Sequence, residues 1–172
     1  AMELLGEQKQ ALKANLAVMD CMDEQIHELE RSILAKFKPR EDFKALKTVS
    51  GIGDILALTI ALEAGDIERF AGPGNFASYA RMVDSHRESN GKKKGEGNTE
   101  CGNKFLAWAF IEAAHFAVRF DATIKRWYQK KCANHLSIVA IKAVAHKLDM
   151  MVAYPEGRST IMFGDSVESI CS

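Results

Sequence analysis

The sequence predicts an all-α fold, a helical domain containing a helix-hairpin-helix turn and preceded by a long coiled-coil-like helix. Three observations carry this. Apolar residues return every seven positions from Leu5 to Ile33, broad one-sided apolar faces run from about 102 to 148, and no stretch alternates apolar with polar as a half-buried strand would. With 47% hydrophobic and 27% charged residues among 172, the chain can bury one sizeable core, or a modest core plus an extended arm.

The first element is the arm, residues 1–40. Leu5, Leu12, Met19, Ile26 and Ile33 form the repeat, and Met22 and Leu29 fill the interleaved seam position. A helix from Leu5 to about Phe37 would be roughly 50 Å long, and so narrow a stripe asks for a partner helix. Gln8, Asn15 and Lys36 also stand in the seam, which weakens such a coil and helps to fix its register. The other reading is a solvated amphipathic helix packed on its own domain. The opening Ala1-Met2 reads as an added residue ahead of an internal start, and hence a fragment.

Pro39 ends the arm, and a compact region is expected over 41–153. Two apolar helices flank Val49-Ser50-Gly51-Ile52-Gly53, the second started by Asp54 or Ser50. Glycines allow the tight turn, and amides at the following helix start can point at one phosphate oxygen. This is the helix-hairpin-helix form, with Gly51, Ile52 and Gly53 as candidate nucleic-acid contacts; a plain turn between core helices is the alternative. Another helix is expected from Pro73 to about Ala80. Residues 81–98 read as a loop, and Thr99 or Asn98 as the cap of a strong helix whose Phe105, Leu106, Ala109, Ala113, Phe116, Ala117 and Phe120 share one face. Asp121 caps a basic helix to about Lys131. Asn134 caps a last one with Ile138, Val139, Ala143 and Leu148 inward. The tail 154–172 shows no motif.

Net charge is zero, so only the placement of charge can argue for nucleic acid. Residues 81–98 hold five basic groups, Arg81, Arg87, Lys92, Lys93 and Lys94, against three acidic ones. A lysine run on a glycine-rich loop suits a phosphate chain, although such runs are commonly just solvated. It is no Walker loop, because His86 and Lys93 stand where glycine and a hydroxyl residue are required. Residues 119–131 carry Arg119, Lys125, Arg126, Lys130 and Lys131 against Asp121 alone. Trp127 and Tyr128 lie among them; packing against the core is the preferred reading of Trp127 over base stacking. His115 and His146 have no carboxylate partner at convincing spacing. Cys21, Cys101, Cys132 and Cys171 show neither metal-ligand nor disulfide-scaffold spacing, which fits reduced thiols in a cytoplasmic protein, and no apolar run approaches a membrane span.

The string Ser89-Asn-Gly-Lys-Lys-Lys-Gly-Glu-Gly-Asn-Thr-Glu-Cys-Gly-Asn-Lys-Phe-Leu-Ala-Trp-Ala-Phe-Ile-Glu-Ala-Ala114 resembles the C-terminal region of the insertion-sequence 110/116/902 transposases. So do the Gly-Ile-Gly turn, Gly65-Asp-Ile-Glu-Arg-Phe70 and Phe76-Ala-Ser-Tyr-Ala80, in the same order, over about Lys44 to Leu148. The resemblance implies a bacterial DNA recombinase, in some members guided by a bridging RNA. Its N-terminal resolvase-like domain, reached through a coiled coil, holds magnesium on four acidic residues, so no cofactor is expected in this fragment. It implies that Ser89 attacks the DNA phosphodiester, with Ser85 the nearest rival. It also implies that Arg87, Asn90, Gly91, Lys92, Lys93, Lys94, Asn98, Asn103 and Lys104 lie along nucleic acid. Glu100-Cys101 replaces a common basic residue and Ala107 a common arginine, departures that weaken nucleic-acid contact and leave room for a degenerate copy. The expectation is therefore a fragment that binds DNA, dimerises through its first helix, stays off membranes and does not cut DNA alone. A non-catalytic binding or dimerisation module is the competing expectation.

Overall fold

A computed structural model describes residues 6–83, 88–89, 92–93 and 101–153, the four strand residues by backbone alone. It divides the chain into two compact units, 1–40 and 41–172. The first is one helix, α1 (Gly6–Phe37), and none of its residues is buried. The heptad side chains Leu12, Met19, Met22, Ile26, Leu29 and Ile33 are all exposed, so nothing within this unit covers the stripe.

The second unit is helical: α2 (Glu41–Lys47), α3 (Asp54–Ala64), a 3-10 turn (Ile67–Arg69), α4 (Pro73–Tyr79), α5 (Lys104–Phe120), α6 (Ala122–Cys132) and α7 (Ser137–Ala153). Helix α5 is the central post, in contact with α3, α6 and α7, while α4 packs on α7. The post is made of small side chains. Ala109, Ala113, Ala114 and Ala117 are fully buried beside Leu106 and Phe110, and alanines let neighbouring helices approach closely. Phe76 meets Phe110 edge-on at 6.1 Å between ring centroids, tying α4 into the same core.

Several local expectations are corrected. Helix α5 is capped by Asn103 and not by Thr99 or Asn98, because Asn103 Oδ1 accepts from the amides of Phe105 and Leu106, and Gly102 has φ +89°, outside the helical region. Helix α7 begins after Leu136, whose carbonyl accepts from Val139 and Ala140, whereas Asn134 still belongs to the turn that closes α6. Helix α3 starts at Asp54 behind Gly53, with no side-chain cap. The buried side of α5 is rotated by roughly 50° from the expected one: Phe105, Phe116 and Phe120 are exposed because the three contacting helices take the alanine-rich side. At the start of α7, Ile138 and Val139 are exposed as well, and Leu148 is buried. Within the expected loop, β1 (Glu88–Ser89) pairs antiparallel with β2 (Lys92–Lys93). Asn90-Gly91 stands between them in sequence, the dipeptide two-residue hairpins favour.

One core position is out of character. Asp149 of α7 is fully buried and neither carboxylate oxygen has a hydrogen-bond partner. Burial pushes its carboxyl up to about 8, so near neutrality it is held as the neutral acid. The unfolded chain releases that proton above its ordinary value of 3.8 while the folded chain keeps it, so the fold loses stability as pH rises between those two values. The expected slope from this group is about 1.4 kcal/mol per pH unit. Urea unfolding between pH 6 and 8 should show that decline in the wild type. Asp149→Asn, which cannot ionise, should remove it, and parallel slopes for the two proteins would contradict the assignment.

Candidate nucleic-acid interface

The turn between α2 and α3 is fixed from below by α5. Gly51 adopts φ +90°, and a Cβ there would stand 2.2 Å from the Ala113 carbonyl oxygen, so glycine is required by close approach as well as by the backbone. Ile52 is 5% exposed and plugs the gap between the helices. Its amide donates to Val49, and the Gly53 carbonyl receives the Ala57 amide. Ser50 Oγ donates to Asp121 Oδ2 at 2.8 Å, binding the turn to the α5–α6 junction. Burial raises the Asp121 carboxyl, but the Ser50 hydroxyl and the Ile124 and Thr123 amides more than offset this and leave it below the usual carboxylate value. Asp54 in the first turn of α3 forms an ion pair with Lys47. It places a carboxylate beside the positive helix end, in competition with any incoming phosphate.

At the other end of α5, described residues on either side of 84–100 are laced together. Asn103 donates its amide to the Tyr79 carbonyl at 2.7 Å, and the Arg81 guanidinium donates to the Gly102 carbonyl through Nε and Nη2 at 3.1 and 2.8 Å. Arg81 takes φ 60° and Gly102 φ +89° to make this join; a Cβ on Gly102 would sit 2.6 Å from the Tyr79 carbonyl oxygen. Asn103 Nδ2 donates to Glu63 at 2.6 Å while its Oδ1 caps α5, so both ends of the amide are used inside the fold. The Asn103 amide and the Arg69 guanidinium lower the Tyr79 phenol from its ordinary value. Sequence reasoning did not single out Arg81, Glu63 and Tyr79 as the neck of this segment. Only the glycine before Asn103 hinted at it.

The described candidate residues therefore fall into three groups. Gly51 lies against Ala113 and Ala117, with Ile52 and Gly53 following it in the turn, and Asn103 and Lys104 lie about 15–20 Å away along α5. Ser89 is in β1 opposite Lys92, with Lys93 opposite Glu88. Arg87, Asn90, Gly91, Lys94 and Asn98, and the rival Ser85, lie outside the described residues. On α6, Lys125, Arg126, Lys130 and Lys131 are exposed. Trp127 is half-buried between Lys131 and Lys147, whose ammonium groups stand 5.9 and 4.9 Å from its ring. Burial and the neighbouring Lys147 and Lys142 lower the pKa of His146. Among the described residues no three His, Cys, Asp or Glu side chains gather as a metal site, and no helix is long and apolar enough to cross a membrane.

The described residues thus form a helical domain with a glycine turn wedged on a central alanine helix, and a short antiparallel strand pair bearing serine and lysine precedes that helix in sequence. The particular family follows: the sequence model of the transposase IS116/IS110/IS902 family matches residues 43–129, half of the chain, and the chain belongs to that family. It is similar to a Pseudomonas aeruginosa protein named "Probable family 20 transposase", with 28% identity over 147 residues, 83% of this chain and 43% of the relative. The transposase for insertion sequence element IS1328 of Yersinia enterocolitica is 27% identical over 129 residues, 73% of this chain and 39% of the relative. The transposase for insertion sequence element IS1111A of Coxiella burnetii is 27% identical over 97 residues, 56% of this chain and 27% of the relative. The chain thus spans less than half the length of these relatives.

Proposed function

We propose that this chain is the DNA-gripping part of an insertion-sequence transposase and that Ser89 is the nucleophile of strand transfer. The observation that carries the reading is the hairpin: Ser89 sits on a strand whose partner is Lys92-Lys93, and the neck is tied by Arg81, Gly102, Asn103 and Tyr79. A serine paired in register with a lysine-bearing strand suits attack on a phosphodiester, because lysine cations draw a phosphate in and offset charge as it builds on the phosphoryl oxygens. In the step, the Ser89 oxygen forms a bond to phosphorus, the bond to one sugar oxygen breaks, the serine proton passes to a base, and the released sugar oxygen gains a proton. A serine hydroxyl needs activation for this. The family resemblance puts magnesium on four acidic residues of an N-terminal resolvase-like domain, so this chain by itself is expected to bind without cutting. The helix-hairpin-helix turn would position a phosphate backbone, and the same cations would serve an RNA guide. The test is strand transfer by the full-length protein carrying Ser89→Ala, with DNA binding measured alongside.

The uncovered seam of α1 supports self-association into a homodimer. Six large apolar side chains at heptad spacing face water along 32 residues, and a second copy offers the same stripe. Ile26→Asp should weaken dimerisation by about 100-fold or more, since it buries an unpaired charge. Sedimentation that leaves Ile26→Asp as dimeric as the wild type would refute it.

A further inference from the structure

The solvent side of α5 carries aromatic rings that the core of the domain leaves largely exposed. Phe105, Trp108, Phe116 and Phe120 are 51, 49, 44 and 74% exposed. They spread over about 22 Å of helix. Phe116 and Phe120 lie parallel, 6.4 Å between centroids with 8° between planes. Cations attend both ends of the row: Lys104 Nζ is 5.0 Å from the Phe105 ring and Arg119 Cζ is 5.3 Å from the Phe120 ring. Charge is segregated in the same stretch. From Lys104 to Lys131 there are six basic residues against Glu112 and Asp121, in a chain whose net charge is zero.

We infer that this face of α5 is a stacking platform for unpaired DNA. The inference rests on the nucleic-acid reading above and adds a strand state and a surface to it. Bases in a duplex keep their faces stacked on each other, so exposed rings gain little from paired DNA, whereas an unpaired strand offers a face at each nucleotide. Aromatic rings interleaved with cations along one helix face match a ligand of alternating bases and phosphates. A second copy is the poorer occupant. Lys104 and Arg119 mark opposite ends of the helix, so antiparallel pairing sets unlike residues of like charge together, and parallel pairing sets each against itself. Glu112, midway along the face, opposes phosphate and tempers the affinity.

The test uses the 172-residue chain, an oligothymidine of about 12 nucleotides, and a duplex of equal length. Oligothymidine is expected to quench tryptophan fluorescence, and Trp108→Phe to remove most of that quenching while keeping affinity close to wild type. Trp108→Ala should weaken oligothymidine binding on the order of 10-fold and leave duplex affinity unchanged. Absence of quenching with intact duplex binding would overturn the platform and leave the nucleic-acid reading standing. If neither DNA binds, that reading falls too. A Trp108→Ala variant that changes sedimentation but not oligothymidine affinity would assign the face to a second copy, and binding of oligouridine without oligothymidine would overturn the choice of DNA.

Discussion

Full-length protein carrying Ser89→Ala is expected to lose strand transfer by at least about three orders of magnitude and to form no covalent protein–DNA adduct. DNA affinity and its steep decline with salt should stay within about twofold of wild type, because cations and backbone amides supply the phosphate contacts and one hydroxyl adds little. The combination is diagnostic. A transposition defect with weakened binding would mean that Ser89 helps to hold DNA, and undiminished transfer would remove the nucleophile assignment altogether. Ser85→Ala is the matched control, four residues earlier in the same basic segment. It should retain activity, and the reverse pattern would move the nucleophile to Ser85.

Gly51→Ala should be the most damaging single substitution of the glycine turn. Two penalties coincide there. The backbone is at φ +90°, which L side chains rarely adopt, and the added Cβ would meet the Ala113 carbonyl oxygen at 2.2 Å and the Ala117 amide nitrogen at 2.8 Å. Both contacts are backbone atoms of the central helix, so relief would require moving α3 off α5. A loss of about 3–5 kcal/mol is expected, a large fraction of the stability of a domain this size. Gly65→Ala isolates the first penalty: φ is +62° with ψ −135°, and nothing lies within 4 Å of the added carbon, so about 1–3 kcal/mol should be lost. Chemical denaturation of the two variants measures the difference, and equal losses would show that the approach to α5 is looser than described.

The parts of the fold that were legible in the sequence are those fixed by local chemistry. The seven-residue repeat marked α1, which is helical from Gly6 to Phe37 among the described residues. Pro73 at the head of α4 and Asp121 at the head of α6 did as their chemistry dictates. Asp149 could have been noticed: it stands four residues after the buried Ala145 and one after Leu148, on an apolar stripe. The candidate site was legible mainly through motif resemblance. Its clamps were not, because Glu63, Tyr79 and Arg81 are brought to Gly102 and Asn103 across separations of 40, 24 and 21 residues, and no local pattern encodes such pairs.

Sequence alone determined the helical class, the arm, the Gly-Ile-Gly turn and the family, because periodicity, capping and ordered motifs are properties of neighbouring residues. Tertiary structure decided which side of α5 is buried. That helix is apolar nearly all round, so its periodicity supports more than one inward face, and close approach of α3, α6 and α7 selects the alanines and turns the phenylalanines outward. The orphan state of the Asp149 carboxyl was decided in the same way, by what the neighbouring helices failed to bring to it.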